Sequence, residues 1–238
     1  MKTNVKPHLK EINELYRKVC EFESSVELQH EYSPVKEPHQ YVNEDIEKVM
    51  NAFSASVNTA QQDLSFINDA MQSGKIDFIS LVSDEKKSEK DFSLLYIISR
   101  PFFKSMKNSG NTDNINWNEG RCPVCDAVPS LSVIDKESRR RYFCSWCGGV
   151  GHYKRIGCPS CLTDDPKDIT VISLEGEEGM RADTCEKCRS YCKSFEGSMM
   201  LDNSIDELDI MSLPLDIVVQ GKGYKRHSPN PVGMIRME

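Results

Sequence analysis

Eight of the ten cysteines fall into four Cys-x-x-Cys pairs in the third quarter of the chain: Cys122/Cys125 (CPVC), Cys144/Cys147 (CSWC), Cys158/Cys161 (CPSC) and Cys185/Cys188 (CEKC). Two intervening residues let a tight turn aim both sulfurs at one point, so each pair can supply half of a tetrahedral four-sulfur site. The 18-residue gap between Cys125 and Cys144 matches the gap of about 15–20 in two-knuckle zinc sites. The gap from Cys161 to Cys185 is 23, slightly longer, and only 10 residues separate Cys147 from Cys158. Sequential pairing therefore assigns Cys122, Cys125, Cys144 and Cys147 to site one and Cys158, Cys161, Cys185 and Cys188 to site two. An interleaved pairing, first pair with third, is the alternative. Four thiolates in a tetrahedron suit Zn(II) or a single rubredoxin-type iron equally well, so two metal ions, iron or zinc, are expected.

Competing uses of these thiols fit less well. The chain's first residues, MKTNVKPHLKEINEL, carry no apolar run of signal-peptide type, which points to the cytoplasm, where disulfide frameworks are rare. A thioredoxin-like pair needs a thiolate at a helix N-terminus in a βαβ setting, whereas these pairs lie between short strand-like runs. Glycine after a knuckle's second cysteine favours the left-handed turn. Only Cys147 has one, in Gly148, while Asp126, Leu162 and Arg189 stand at the other three, which predicts less regular knuckles there. Of the two remaining cysteines, Cys20 reads as a small buried hydrophobe. Cys192 is either a core thiol or a reactive one beside site two. His152 and Trp146 read as packing residues, and His30 and His39 as surface.

The elements that position these pairs follow from periodicity. Apolar residues at spacings of three and four predict helices from Pro7 to about Val26, at 43–56 and at 60–73, the last closed by Gly74. A loop with Pro34 and Pro38 covers 30–41, a short helix 76–82, and a charged connection Asp84–Lys90. Phe92–Met106 predicts a buried helix kinked or divided by Pro101, and a polar stretch to Asn118 leads out of the helical region. Short strands are then predicted at Ser130–Ile134, Arg141–Phe143, His152–Ile156, Ile169–Leu174 and Met180–Thr184. They bury little apolar area against their ordering entropy, so the region is expected to fold only with metal. Replacing Cys122 or Cys185 by serine should unfold it while sparing the N-terminal helices. A helical pattern interrupted by Pro214 returns from Ile205 to Val218, and the basic GKGYKRHSPNP reads as an exposed tail.

At 238 residues the chain can bury a core without cross-links, and 38% hydrophobic with 28% charged residues describes a soluble globular protein. A formal charge of −7 argues against general nucleic-acid binding, leaving Arg139, Arg140 and Arg141 as the one local candidate patch. The most apolar stretch is too short for a bilayer, which needs about 20 apolar residues, so no membrane insertion is expected. No P-loop, GxSxG or HExxH is present, and saturated four-sulfur sites leave no open position for a substrate, so the chain reads as a non-enzyme.

Several stretches together, SRPFFKSM, WNEGRCPVCDAVPSLS, RRYFCSWC, HYKRIGCPSC, RADTCEKCRSYCKSF and DELDIMSLPLDIVVQGKGYKRHSPNP, resemble the formate dehydrogenase accessory proteins of the FdhE type. The resemblance implies an α+β fold. A helical N-terminal domain (1–118) precedes two rubredoxin-like or zinc-ribbon-like four-cysteine modules of short antiparallel strands (119–157 and 158–200), with a C-terminal helix and basic tail (201–238). It further implies a cytoplasmic accessory protein that binds the immature catalytic subunit of a formate dehydrogenase, with the eight paired cysteines as metal ligands and iron in some members. A rubredoxin-like delivery of electrons to the client's cofactors is the alternative, and a nucleic-acid-binding zinc ribbon a more distant one. Three positions depart from the family pattern: Asp126 in place of glycine, Gly151 in place of an aromatic, and Cys192 in place of an apolar residue. The first two are expected to loosen packing around site one.

Overall fold

The computed structural model describes residues 9–28, 42–57, 89–109 and 115–237. The predicted loop at 30–41, the helices at 60–73 and 76–82, Pro7, His30 and His39 lie outside the described residues. The chain forms two compact units, one of residues 1–111 with Pro231–Met234 and one of Thr112–Asn230 with residues 235–238.

In the first unit, helix α1 (Lys10–Ser25) buries Val19 and Phe22, and Phe22 meets Phe53 of α2 (Val42–Val57) edge-to-face with ring centroids 5.2 Å apart. Cys20 is half-buried rather than core, because Val19 and Phe22 take the centre of the apolar stripe. Helix α3 (Glu89–Asn108) continues through Pro101 as one element, so of the two expectations, a kink or a division, the division is absent. Proline removes one helical hydrogen bond, but Ile97, Ile98, Phe102 and Phe103 are buried on both sides of it, and that packing keeps the two halves as one element. Arg100 of α3 pairs with Glu23 of α1 at 2.8 Å.

The second unit holds the cysteines. Its strands are β1 (Ile115–Asn116), β2 (Leu131–Ile134), β3 (Arg140–Phe143), β4 (Val150–His152), β5 (Ile169–Ile172), β6 (Met180–Cys185) and β7 (Tyr191–Glu196). They form one sheet in the order β1-β4-β3-β2-β7-β6-β5. The order exposes an internal repeat. Each copy runs knuckle, strand, strand, knuckle, strand, giving an antiparallel trio β4-β3-β2 in the first and β7-β6-β5 in the second. The copies join through parallel pairing of β2 with β7, Leu131 opposite Lys193 and Ile134 opposite Glu196. The two four-cysteine modules thus share a sheet.

Beyond β7 come α4 (Ile205–Met211) and α5 (Leu213–Gly221), two helices where one was expected. Ser204 and Glu207 form a reciprocal capping box that starts α4, and Pro214 sits in the first turn of α5, where its missing N–H costs nothing. Leu208 of α4 packs on Leu131 and Val133 of the first copy and on Phe195 of the second, so one core spans both. Leu215 and Val219 of α5 cover Ala182 and Tyr191.

The basic tail is not an exposed extension. Tyr224, Arg226 and Ser228 are buried while Lys225 and His227 between them are exposed, the alternation of an extended segment. Ser190 pairs with Lys225 in a parallel bridge, and Tyr191 N–H donates to the Lys225 carbonyl at 3.1 Å. Basic composition alone read as surface because the anions that receive Arg226 lie ten and seventeen residues earlier, at Asp216 and Asp209.

Candidate metal centres

All four knuckles have the same backbone geometry. The amide N–H four residues after each first cysteine donates to that cysteine's carbonyl: Asp126 to Cys122 at 2.8 Å, and Gly148 to Cys144, Leu162 to Cys158 and Arg189 to Cys185 at 2.9 Å. Each first cysteine's N–H in turn donates to the carbonyl five residues on, at Ala127, Gly149, Thr163 and Ser190. The residue after the second cysteine is left-handed every time, with φ of 58° at Asp126, 72° at Gly148, 63° at Leu162 and 58° at Arg189. The irregularity expected of the three knuckles without glycine is therefore absent. Two backbone hydrogen bonds per turn hold the left-handed residue against a cost of about 1–2 kcal/mol.

The turns gather the sulfurs of Cys122, Cys125, Cys144 and Cys147 into one cluster and those of Cys158, Cys161, Cys185 and Cys188 into a second, with the sulfurs of each cluster all within 4.8 Å of one another. This is the sequential grouping and not the interleaved one. Between knuckles, Cys122 and Cys147 approach to 3.4 Å, Cys125 and Cys144 to 3.4 Å, Cys158 and Cys188 to 3.5 Å, and Cys161 and Cys185 to 3.7 Å. A tetrahedron with metal–sulfur bonds of about 2.3 Å has edges of about 3.8 Å. A disulfide needs about 2.05 Å, and all ten cysteines are free thiols. Both donor sets thus fit a four-coordinate thiophilic ion.

The electrostatics of the sulfurs point the same way. Hydrogen bonds from Cys125, Cys144 and Cys147 hold the Cys122 thiol far below its ordinary range, against the opposing effect of burial. The hydrogen bond to Cys122, with burial behind it, pushes Cys125 well up, and burial foremost does the same to Cys144. A dry pocket of four sulfurs can carry one negative charge cheaply but not four, and a central cation is what would ionise them all. At site two burial raises Cys185 to about 12, while at Cys188 burial is outweighed by the Ser190 hydroxyl and the sulfurs of Cys158 and Cys161, bringing it down to about 7.

Supporting residues differ between the sites. At site one the Gly149 N–H donates to Cys147 Sγ at 3.3 Å, and Trp146 and Trp117 are buried. Gly151 does not loosen packing: a Cβ there would lie 1.9 Å from Trp117 Nε1, so the indole fills the space that an aromatic at 151 would take. Gly120 is likewise obligatory, at φ 68° with its missing Cβ 2.5 Å from the Pro159 carbonyl oxygen of the third knuckle. At site two the Ser190 hydroxyl lies 2.9 Å from Cys188 Sγ and 3.3 Å from Cys158 Sγ. Cys192 takes no part. It is buried on β7 as a core thiol, raised to about 11 by burial.

Sequence reasoning missed two buried ionic groups. Lys193 of β7 reaches Asp209 at 2.6 Å and Asp216 at 2.5 Å, and Arg226 completes a fully enclosed quartet with Asp209 at 2.5 Å and Asp216 at 3.3 Å. Arg140 is buried against Asp183 at 2.8 Å and donates to Ser132 and Ser194. Of the suspected basic patch, Arg139 is paired with Asp135 and Glu137 and Arg140 faces inward. Spacing carries no signal for such pairs; the period-2 placement of Lys193 among Tyr191 and Phe195 was the one available hint.

Comparison with known proteins agrees with this architecture. The family model "FdhE, C-terminal domain" matches residues 156–232. A "Protein FdhE homolog" of Pseudomonas aeruginosa is 37% identical over 121 residues, covering 46% of this chain and 38% of that protein. One of Shewanella baltica is 34% identical over 122 residues, covering 49% of this chain and 39% of its own length. The matches thus span about two fifths of these relatives. The crystal structure of the FdhE protein from Pseudomonas aeruginosa superposes with a TM-score of 0.69 at 19% identity, covering 94% of this chain and 89% of that one, and shows the fold. Residues 156–232 of the chain thus match the C-terminal domain of the FdhE family, nearly half of it is similar in sequence to FdhE homologues, and its fold is that of the Pseudomonas aeruginosa FdhE protein almost throughout.

Proposed function

We propose that the chain is a non-catalytic accessory protein for the maturation of a formate dehydrogenase and that it binds the enzyme's immature catalytic subunit in the cytoplasm. Each four-sulfur cluster holds one metal ion, zinc or rubredoxin-type iron, with the eight knuckle cysteines as ligands. The observation that carries this reading is the pair of clusters, each built from two knuckles of one geometry and joined by a single sheet. Four sulfurs close the coordination shell, so a bound ion shapes the platform and takes no substrate. Bound as zinc, it would contribute about 10–16 kcal/mol of apparent affinity, which the short strands draw on as folding free energy.

The test is co-purification of the formate dehydrogenase catalytic subunit with tagged wild-type and Cys122→Ser chains, with metal measured on the same samples. Capture by the wild type and loss in the variant is the expected result, and wild type that fails to retain the subunit would refute the reading. A second reading, electron delivery to the client's cofactors, is favoured by the half-exposed Cys161 and Cys188, through which an iron ion would reach a partner. Full occupancy by zinc, which does not change oxidation state, would exclude it.

A further inference from the structure

The internal repeat allows the two clusters to be compared atom for atom. Cys122, Cys125, Cys144 and Cys147 of the first copy occupy the places of Cys158, Cys161, Cys185 and Cys188 in the second. All four sulfur-bearing residues of site one are buried, whereas the second cysteine of each site-two knuckle, Cys161 and Cys188, is partly exposed. The cause lies between the cysteines. Val124 and Trp146 fill the inner knuckle position of the first copy and are both 6% exposed. In the second copy those places are taken by Ser160, half-buried, and Lys187, exposed. A solvated ammonium stays in water where an indole would cover the sulfurs, so the same fold closes one site and opens the other.

Hydrogen bonding differs in the same sense. Gly149 has no side chain, and a Cβ there would lie 3.2 Å from Cys147 Sγ and 3.6 Å from Cys122 Sγ. The equivalent Ser190 places its hydroxyl on the corresponding sulfurs, Cys188 and Cys158. Site one is thus sealed by apolar groups, and site two is dressed with polar ones that tolerate water.

We propose that the two sites divide their work: site one is a closed structural centre, and site two is the exchangeable and chemically reactive one, entered through Cys161 and Cys188. Chelators and thiol-directed electrophiles reach site two first, because a reagent can touch a sulfur there without local unfolding. The proposal rests on the metal reading above, and its test separates the two.

The holoprotein, prepared without oxygen and assayed for metal before treatment, is challenged with EDTA and sampled over time. N-ethylmaleimide then labels the freed thiols, which are located by peptide mass spectrometry. The first equivalent should leave at least about tenfold faster than the second, with Cys161 and Cys188 labelled ahead of all four site-one cysteines. Release of both equivalents at one rate, or first labelling at Cys122, Cys125, Cys144 or Cys147, would overturn the proposal while leaving the metal reading intact. Less than two equivalents before the challenge would count against both. Ser160→Val with Lys187→Trp gives site two the cover of site one and should slow the fast phase; an unchanged fast phase in that folded double variant would also contradict the proposed cause.

Discussion

At the scale of single residues, two glycines of the first copy separate backbone cost from steric cost. Gly148 sits at φ 72° with no atom within 4 Å of where a Cβ would stand. Gly148→Ala therefore isolates the left-handed penalty and should lower stability by about 1–2 kcal/mol in denaturant melts of metal-loaded protein. Gly151→Ala must displace the Trp117 ring, an overpacking cost of about 1–3 kcal/mol, and should shift tryptophan emission, which Gly148→Ala should leave in place. An emission spectrum of Gly151→Ala identical to wild type would refute this packing of Trp117. The eight cysteines were legible because ligand spacing is a local property. The left-handed turns at Asp126, Leu162 and Arg189 were not, because residue preference favours glycine there while the paired hydrogen bonds of the knuckle decide the matter.

Among elements, the junction of β7 with α4 and α5 depends on the enclosed quartet of Lys193, Asp209, Asp216 and Arg226. Removing one member strands the others without water. Lys193→Met should therefore cost about 3–5 kcal/mol, although methionine is apolar and of similar length. The quartet also sets an acid dependence. Burial alone would raise the Asp209 carboxyl, but Arg226 and Lys193 more than reverse this and hold it below its ordinary value. A depressed carboxyl contributes stability that is complete above its unfolded value of about 3.9 and disappears as pH falls through its lower folded value. Unfolding free energy measured from pH 7 downward should show the wild-type advantage over Lys193→Met persisting to about pH 4 and shrinking below it; an advantage that grows on acidification would be inconsistent with the quartet. Among the described residues α1, α2, α3 and the strands β2, β3, β5 and β6 were legible from periodicity, whereas the strand expected at 152–156 is β4, which ends at His152. β7 was not legible, because it is buried on both faces with a lysine in its middle, and the Asp209 and Asp216 that receive this lysine come from α4 and α5.

In the whole molecule, the parallel β2–β7 pairing and the shared core of Leu131, Val133, Phe195 and Leu208 make the two copies one cooperative body. The sequence showed two clusters but not their union, since β2 and β7 are about sixty residues apart and nothing local announces a parallel join. Cys122→Ser should therefore remove hydrogen-exchange protection from β5, β6 and β7 as well as from β2, β3 and β4, while α1, α2 and α3 keep theirs. Protection confined to the second copy would show that the copies fold separately. Whether two ions hold this sheet together is tested most directly by metal content per chain after oxygen-free purification. Two equivalents of zinc or iron in the wild type, falling to one or fewer in Cys122→Ser and in Cys185→Ser, is the expected result. A folded wild-type chain with no thiolate-bound metal would contradict it.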